Sequence, residues 1–413
     1  MDWPFGRKRE RAPEAEAPET KASAARALTA VTGAGRPVWT PRDYESLARE
    51  GFAKNPVAYR CVRMVAEAAA SAPLRVFADG AAAEAGHPLR RLLERPNPEQ
   101  GGADLLENFY GGLQVSGNAY LEATGLEGGP DEGAEATRVP TRSLRDHPPP
   151  EGEGLPGELY CLRPERMQVV PGARGWPEAY EYGVGGRKVR IGRDADGWLP
   201  VLHLKLFNPT DDWYGFSPLE AAAFAVDVHN ASGAWNKALL DNAARPSGAL
   251  VYGAGERMTD EQFAALKAEL AAGFAGRANA GRPLVLDGGL EWRAMSLSPA
   301  EMDFIAGKHA AAREIALAFG VPPQLLGIPG DATYANYREA NVAFWRQTVA
   351  PLAERAARAL TGWLGAKFPG CAIAPDWDAV PAMNAERDAL WARLSAADWL
   401  SDEERRAMAG VGA

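Results

Sequence analysis

The chain has 413 residues, 46% of them hydrophobic and 24% charged, a balance that supports a buried core and excludes a disordered chain. Its net charge of −9 argues against a protein that grips nucleic acid through a basic surface. Cys61, Cys161 and Cys371 form no CxxC pair, so a reducing compartment is expected and neither a disulfide framework nor a cysteine zinc site is. Met1 to Arg11 lacks the apolar stretch of a signal peptide, and no run reaches the roughly 18 apolar residues of a membrane span, so no membrane association is expected.

Residues 1–40 mix charge with prolines and carry few large apolar side chains, which predicts a flexible arm. Asn55 and Pro56 then supply a helix cap and a first-turn proline, followed by Val57, Cys61, Val62, Val65, Ala68 and Ala69 at helical spacing. That helix is expected to end near Ser71, before a short strand at Leu74 to Phe77. A second helix over Ala103 to Val115 closes at Gly117 and Asn118 and leads into a strand from Ala119 to Ala123. Residues 125–157 are crowded with Gly, Pro and Glu and predict an exposed insertion. Short alternating segments from Leu159 to Phe207 complete a first half of mixed helix and sheet.

Capping boxes organise the second half. Ser217-Pro218-Leu219-Glu220 predicts one long helix running to about Arg245, where Pro246 stops it. Ser298-Pro299-Ala300-Glu301 opens a second long helix, ended by Gly320 and Pro322. Between them lie a strand at Ala249 to Tyr252, a helix opened by Thr259 with Gln262 three residues on, and strands at Leu284 to Leu286 and Leu290 to Met295. A further long helix from about Asn336 to Leu364 contains Pro351, which should kink it near Ala350. The acidic tail from Asp376 predicts a small helical module. The fold class is α+β.

Catalytic signatures are weak. The five histidines, His87, His147, His203, His229 and His309, have no metal-binding spacing, and no cofactor is implied. His203 reads as a strand residue and Ser217 as a helix cap, because the second glycine of a nucleophile elbow is missing. Gly183 to Lys188 resembles a phosphate loop in composition only. Asp211-Asp212 and Asp376-Trp377-Asp378 read as solvated turns, with a metal-dependent nuclease as the competing reading.

Several segments in this order resemble the portal proteins of tailed double-stranded-DNA phages, in the siphophage-like branch that includes gene transfer agents. They are Asn55-Pro56-Val57-Ala58-Tyr59-Arg60-Cys61-Val62, Pro73-Leu74-Arg75-Val76, His87-Pro88-Leu89, Arg95-Pro96-Asn97-Pro98 and Gly117-Asn118-Ala119-Tyr120. Gly215-Phe216-Ser217-Pro218-Leu219, Pro246-Ser247-Gly248, Phe319 to Gly327 and Thr333-Tyr334-Ala335-Asn336 continue the series.

The resemblance implies a wing over 41–215, a stem helix over 216–246, a clip over 247–297 and a second stem helix over 298–320. A tunnel loop over 321–335, a kinked helix returning to the wing over 336–375 and a crown over 376–413 follow. It further implies a non-enzymatic, homo-dodecameric ring at a capsid vertex, in a phage or phage-like particle assembled in the host cytoplasm. Duplex DNA passes through it without sequence reading, and terminase, head-completion or adaptor proteins and the major capsid protein dock on it. The expected channel-loop residues are Gln324, Asp331, Thr333, Tyr334 and Asn336, and the partner-facing clip residues Arg257, Glu261 and Lys267. A tail adaptor that is not a portal is the other alternative.

Overall fold

The computed structural model describes residues 39–124, 155–173, 175–241, 248–252, 259–274, 290–294, 304–329 and 334–408. Nearly all of the expected arm over 1–40 and of the 125–157 insertion, and the Ser298 capping box, lie outside them. The body starting at Thr40 opens with α1 (Tyr44–Leu47), continued by a π-helical stretch over Ala48–Ala53. Next comes α2 (Pro56–Ser71), whose cap Asn55 accepts backbone N–H groups from Val57 and Ala58 at 3.0 Å each. Such a cap stabilises a helix by about 1 kcal/mol.

β1 (Leu74–Ala78), β2 (Ala81–Ala82), α3 (Pro88–Glu94) and α4 (Gly102–Ser116) follow, and α4 ends where Gly117 takes a positive φ of 73°. β3 (Asn118–Thr124) is the middle strand of a three-stranded antiparallel sheet, with β4 (Glu158–Leu162) on one side and β8 (Val201–Lys205) on the other. Between β4 and β8 in sequence, β5 (Met167–Pro171), β6 (Pro177–Val184) and β7 (Arg187–Ile191) form an antiparallel meander. Its second turn is Gly185-Gly186, with φ of 57° and 83°, so the glycine-rich run that looked like a phosphate loop is a hairpin. Tyr120, Leu162, Met167, Tyr180, Tyr182, Ile191 and Val201 close the space between these two sheets.

The long helix expected from Ser217 is two segments, α5 (Pro218–Ala221) and α6 (Ala223–Asp241). Ala222, with φ −82° and ψ −4°, separates them at the point where Leu219, Ala222 and Ala223 are all buried. No proline or glycine causes this break, so packing sets it. Of the expected capping box, Ser217 Oγ accepts the Glu220 N–H at 2.9 Å.

β9 (Gly248–Tyr252) pairs antiparallel with β10 (Leu290–Ala294), and α7 (Asp260–Phe274) lies between them in sequence. The expected strand at Leu284 to Leu286 is outside the described residues. Then come α8 (Phe304–Ala318), α9 (Tyr334–Phe344) and α10 (Ala350–Leu364). The irregularity expected at Ala350 takes the form of π-helical winding over Trp345–Val349, just ahead of Pro351, whose ring cannot accommodate the usual carbonyl four residues back. β11 (Cys371–Pro375) returns to pair with β1 in register Val76↔Ile373, and α11 (Pro381–Ser395) and α12 (Asp402–Met408) finish the chain. The main core joins the buried faces of α2, α4 and α10 with Val226, Ile315, Phe319 and Val321.

Two glycines hold the junction between the β3 sheet and the α5 helix start. A Cβ on Gly215 would lie 2.1 Å from the Gly117 carbonyl oxygen, and one on Gly117 would lie 2.6 Å from Gly215. Gly111, inside α4, has no such neighbour within 4 Å. Gly215→Ala is therefore expected to destabilise the chain by about 2–3 kcal/mol through overpacking. Gly111→Ala should stabilise it by roughly 0.5–1 kcal/mol through helix propensity. Urea denaturation at matched protein concentration tests both, and equal effects would show that the backbone contact is not a constraint.

Candidate functional site

In each acidic cluster one carboxylate is occupied by structural work, that of Asp211 and that of Asp376. Asp211 Oδ1 accepts the N–H groups of Trp213 at 2.7 Å and Tyr214 at 3.1 Å, and Lys205 donates to the Asp212 carbonyl. Asp376 Oδ1 accepts the Asp378 N–H at 3.1 Å, while Oδ2 pairs with Arg75 at 2.7 Å. Among the described residues, no three His, Cys, Asp or Glu side chains stand together as a metal-holding group.

His87 and His203 are likewise placed by structure, while His147 lies outside the described residues. His87 Nδ1 accepts the Leu89 N–H and caps α3. His203 sits in β8, stacked on Tyr120 at 4.2 Å between ring centroids, 3.0 Å from Asn118 Oδ1. That oxygen already accepts the Gly215 N–H at 2.8 Å, so the His203 Nε2 carries the proton. Burial and then the Lys205 charge push the imidazole down to about 3, leaving it neutral near pH 7. Burial pushes the Cys61 and Cys161 thiols up to about 12, away from nucleophile behaviour.

The loop after α8 is more ordered at its base than its prolines and glycines suggested. Gly320, with φ 64°, has no room for a side chain because Thr348 Oγ1 would lie 2.6 Å from a Cβ there. The same hydroxyl donates to the Gly320 carbonyl at 2.6 Å. Val321 and Leu325 are buried, and Pro323–Leu326 makes a 3-10 turn closed by Gly327 at φ 69°. Arg313 on α8 donates to the Pro329 carbonyl at 2.5 Å. Gln324 is thus half-buried in an anchored turn, and its carbonyl accepts the Gly327 N–H.

Asp331 and Thr333 lie outside the described residues. Tyr334 opens α9, and Asn336 is exposed two residues into it. The structure therefore puts Gln324 and Asn336 on the two flanks of one short connection. The anchors Arg313 and Thr348 escaped the sequence reading because each acts over a long separation with no local signature.

In the small module, Gln262 N–H donates to Thr259 Oγ1 at 3.3 Å and Thr259 N–H donates to Gln262 Oε1 at 3.0 Å, the reciprocal box expected at the start of α7. Glu261 and Lys267 are both exposed on that helix, and Arg257 is outside the described residues. The register Leu250↔Trp292 and Tyr252↔Leu290 puts these four residues on one face of the β9–β10 pair.

Removing both loop anchors, by Arg313→Ala with Thr348→Val, is expected to speed amide hydrogen exchange over residues 325–328 by roughly tenfold, with little change in melting temperature. Unchanged exchange would mean that burial of Val321 and Leu325 alone holds the turn.

Similarities to known proteins bear on this architecture. A chain from the neck of a native gene transfer agent particle, computed with C12 symmetry, is 49% identical and matches with a TM-score of 0.66 over 92% of this chain and 96% of that one. An uncharacterized protein of Rickettsia bellii (strain RML369-C) is 38% identical over 88% of both chains, and a probable portal protein of Streptomyces phage phiC31 is 27% identical over 79% of this chain and 65% of its own length. The family model described as phage portal protein matches residues 56–410, and the chain belongs to the phage portal protein family.

Proposed function

We propose that this chain is one subunit of a twelve-fold portal ring at the vertex of a phage-like particle, and that duplex DNA passes through the ring. The observation that carries this reading is the 49% identity, over 92% of the chain, to a protein of a particle neck with C12 symmetry. On this reading the protein is a structural conduit and not an enzyme, and the reading is preferred to the nuclease and tail-adaptor alternatives.

On this reading, residues 41–215 form the wing, α5 and α6 with α8 the stem, the β9, α7 and β10 module the clip, and the two last helices the crown. A conduit must hold DNA without gripping it, since phosphate contacts repeated around a ring would add to a strong, salt-dependent affinity. The described stem carries near-balanced charge: Glu220 on α5, Asp227, Lys237 and Asp241 on α6, and Lys308, Arg313 and Glu314 on α8. Such a wall offers no basic stripe to phosphate.

The connection between Pro329 and Tyr334 takes the role of tunnel loop, with Gln324 and Asn336 at its flanks and Asp331, Thr333 and Tyr334 toward the DNA. Asp331 then keeps phosphates from adhering. Glu261, Lys267 and Arg257 form the clip face for terminase or a head-completion protein, and the wing meets the major capsid protein. The host cytoplasm is the place of assembly, and no cofactor takes part.

Native mass spectrometry is expected to show one discrete oligomer near twelve subunits for the unaltered chain, as the C12 neck suggests. A chain shortened between Gly330 and Thr333 should keep that oligomer, while particles carrying it package or retain less DNA. Asp331→Arg should raise salt-sensitive DNA retention by the isolated ring. A monomer at every concentration and salt contradicts the ring, and particles that fill and hold DNA normally with both variants contradict the loop's role.

A further inference from the structure

α1 with its π-helical extension, α2, α4, β4, the 3-10 turn at Pro164–Arg166 and β6 together line a groove of about 850 Å³. Val62, Ala66, Gly111, Gly112 and Val115 give it apolar surface. A Cβ on Gly111 would meet no atom within 4 Å, so space is open beside α4 there. Aromatic rings from Tyr44, Phe52, Tyr59 and Tyr160 add to the lining, and Phe52 and Tyr59 pack on each other at 5.0 Å between centroids. Tyr59, Asn108 and Arg163 are exposed, so one side of an occupant stays in water.

The charged groups of the groove are unequally committed. Arg63 pairs with Glu67 and, at 3.7 Å, with Glu107, while Arg163 pairs with Glu165. Arg166 is half-buried and has neither an ion pair nor a side-chain hydrogen bond among the described residues. Its chain neighbour Met167 stands opposite Tyr182 in the β5–β6 register. Tyr182 is 3% exposed, its ring packs in the core between the two sheets, and it reaches the groove. Its hydroxyl has no hydrogen-bond partner among the described residues.

Buried polar groups are seldom left without a partner, and a guanidinium can only donate. Two neighbouring donors, one of them charged, are met best by a group with two acceptor oxygens, a carboxylate. Tyrosine and arginine are also the side chains enriched where proteins bind one another, and tyrosine offers a large, rigid contact at low entropic cost. A groove with exposed edges suits a chain segment better than a small molecule, which needs most of its surface enclosed.

We propose that this groove binds a short segment of another protein of the particle, one that sets an Asp or Glu carboxylate on Arg166 and Tyr182 and a large apolar side chain beside Gly111. The proposal rests on the portal reading only for the kind of partner, because the groove is formed within a single copy.

The test pans a display library of random short peptides against the intact full chain. Recovered sequences are expected to combine Asp or Glu with an aromatic or branched aliphatic residue. A synthetic copy of one, followed by fluorescence anisotropy, should bind about tenfold more weakly to Arg166→Glu and to Gly111→Leu, and a few-fold more weakly to Tyr182→Phe. Neither Arg166→Glu nor Gly111→Leu should lower the melting temperature, since one removes no contact and the other grows into open space. Recovery without a preference for acidic peptides, or equal binding by the variants and the unaltered chain, overturns the proposal. Binding by dilute subunits but not by assembled rings gives the groove to a neighbouring copy and overturns it as well. Each of these results leaves the portal reading in place, which fails only if the unaltered chain forms no ring.

Discussion

The contact between the backbones of Gly117 and Gly215, bridged by the side chain of Asn118, is the constraint on which the rest of the molecule depends. Asn118 is buried, and all of its polar capacity is used. Its oxygen accepts from Gly215 N–H and His203, and its nitrogen donates to the Ser116 carbonyl at 2.8 Å and, more weakly, to that of Gly215 at 3.4 Å. The Gly117 carbonyl takes the Leu206 N–H at 2.8 Å. An unsatisfied carboxamide at this depth would cost about 1–3 kcal/mol, so the network holds as a unit. It places Ser217 where it can cap α5, and from there it aims the helices that leave the sheets.

Further ties reinforce that direction. Asn55 reaches His229 and Asn230, Asn230 donates to the Glu50 carbonyl, and Thr40 bonds Asp227 on the same helix. At the other end of the body, Trp198 and Trp363 stack at 5.5 Å, and each indole N–H donates to a carbonyl of the opposite segment. Lys367 sits there between Asp194 at 2.8 Å and Asp196 at 2.9 Å. Thr361 closes the edge of β11 by accepting the Ile373 N–H at 2.9 Å. α6 is thus tied to the α1–α2 region where it leaves the core.

What could be read in the sequence followed local chemistry. Asn55-Pro56, Gly117, Ser217 and the Thr259–Gln262 pair each announce a helix boundary because capping is decided within four residues, and Pro351 marks its own irregularity. Asp43 at the start of α1 and His87-Pro88 at the start of α3 are equally local caps that the reading passed over, and the break at Ala222 follows from burial on both sides of a short helix. The β1–β11 pairing spans nearly the whole body. The candidate loop was legible as a helix stop with glycines and prolines, yet its anchored base was not, because Thr348 and Arg313 come from neighbouring helices. Asp331, Thr333 and Arg257 rest on family resemblance alone.

The central claim is that copies of this chain close into a ring with an opening for a duplex. Electron microscopy of the purified full-length protein tests it most directly, since one set of class averages shows symmetry, opening and subunit arrangement together. The account predicts end-on views with twelve-fold symmetry around a central hole wide enough for double-stranded DNA, roughly 20 Å or more across. Solid particles, open filaments or isolated monomers would contradict it.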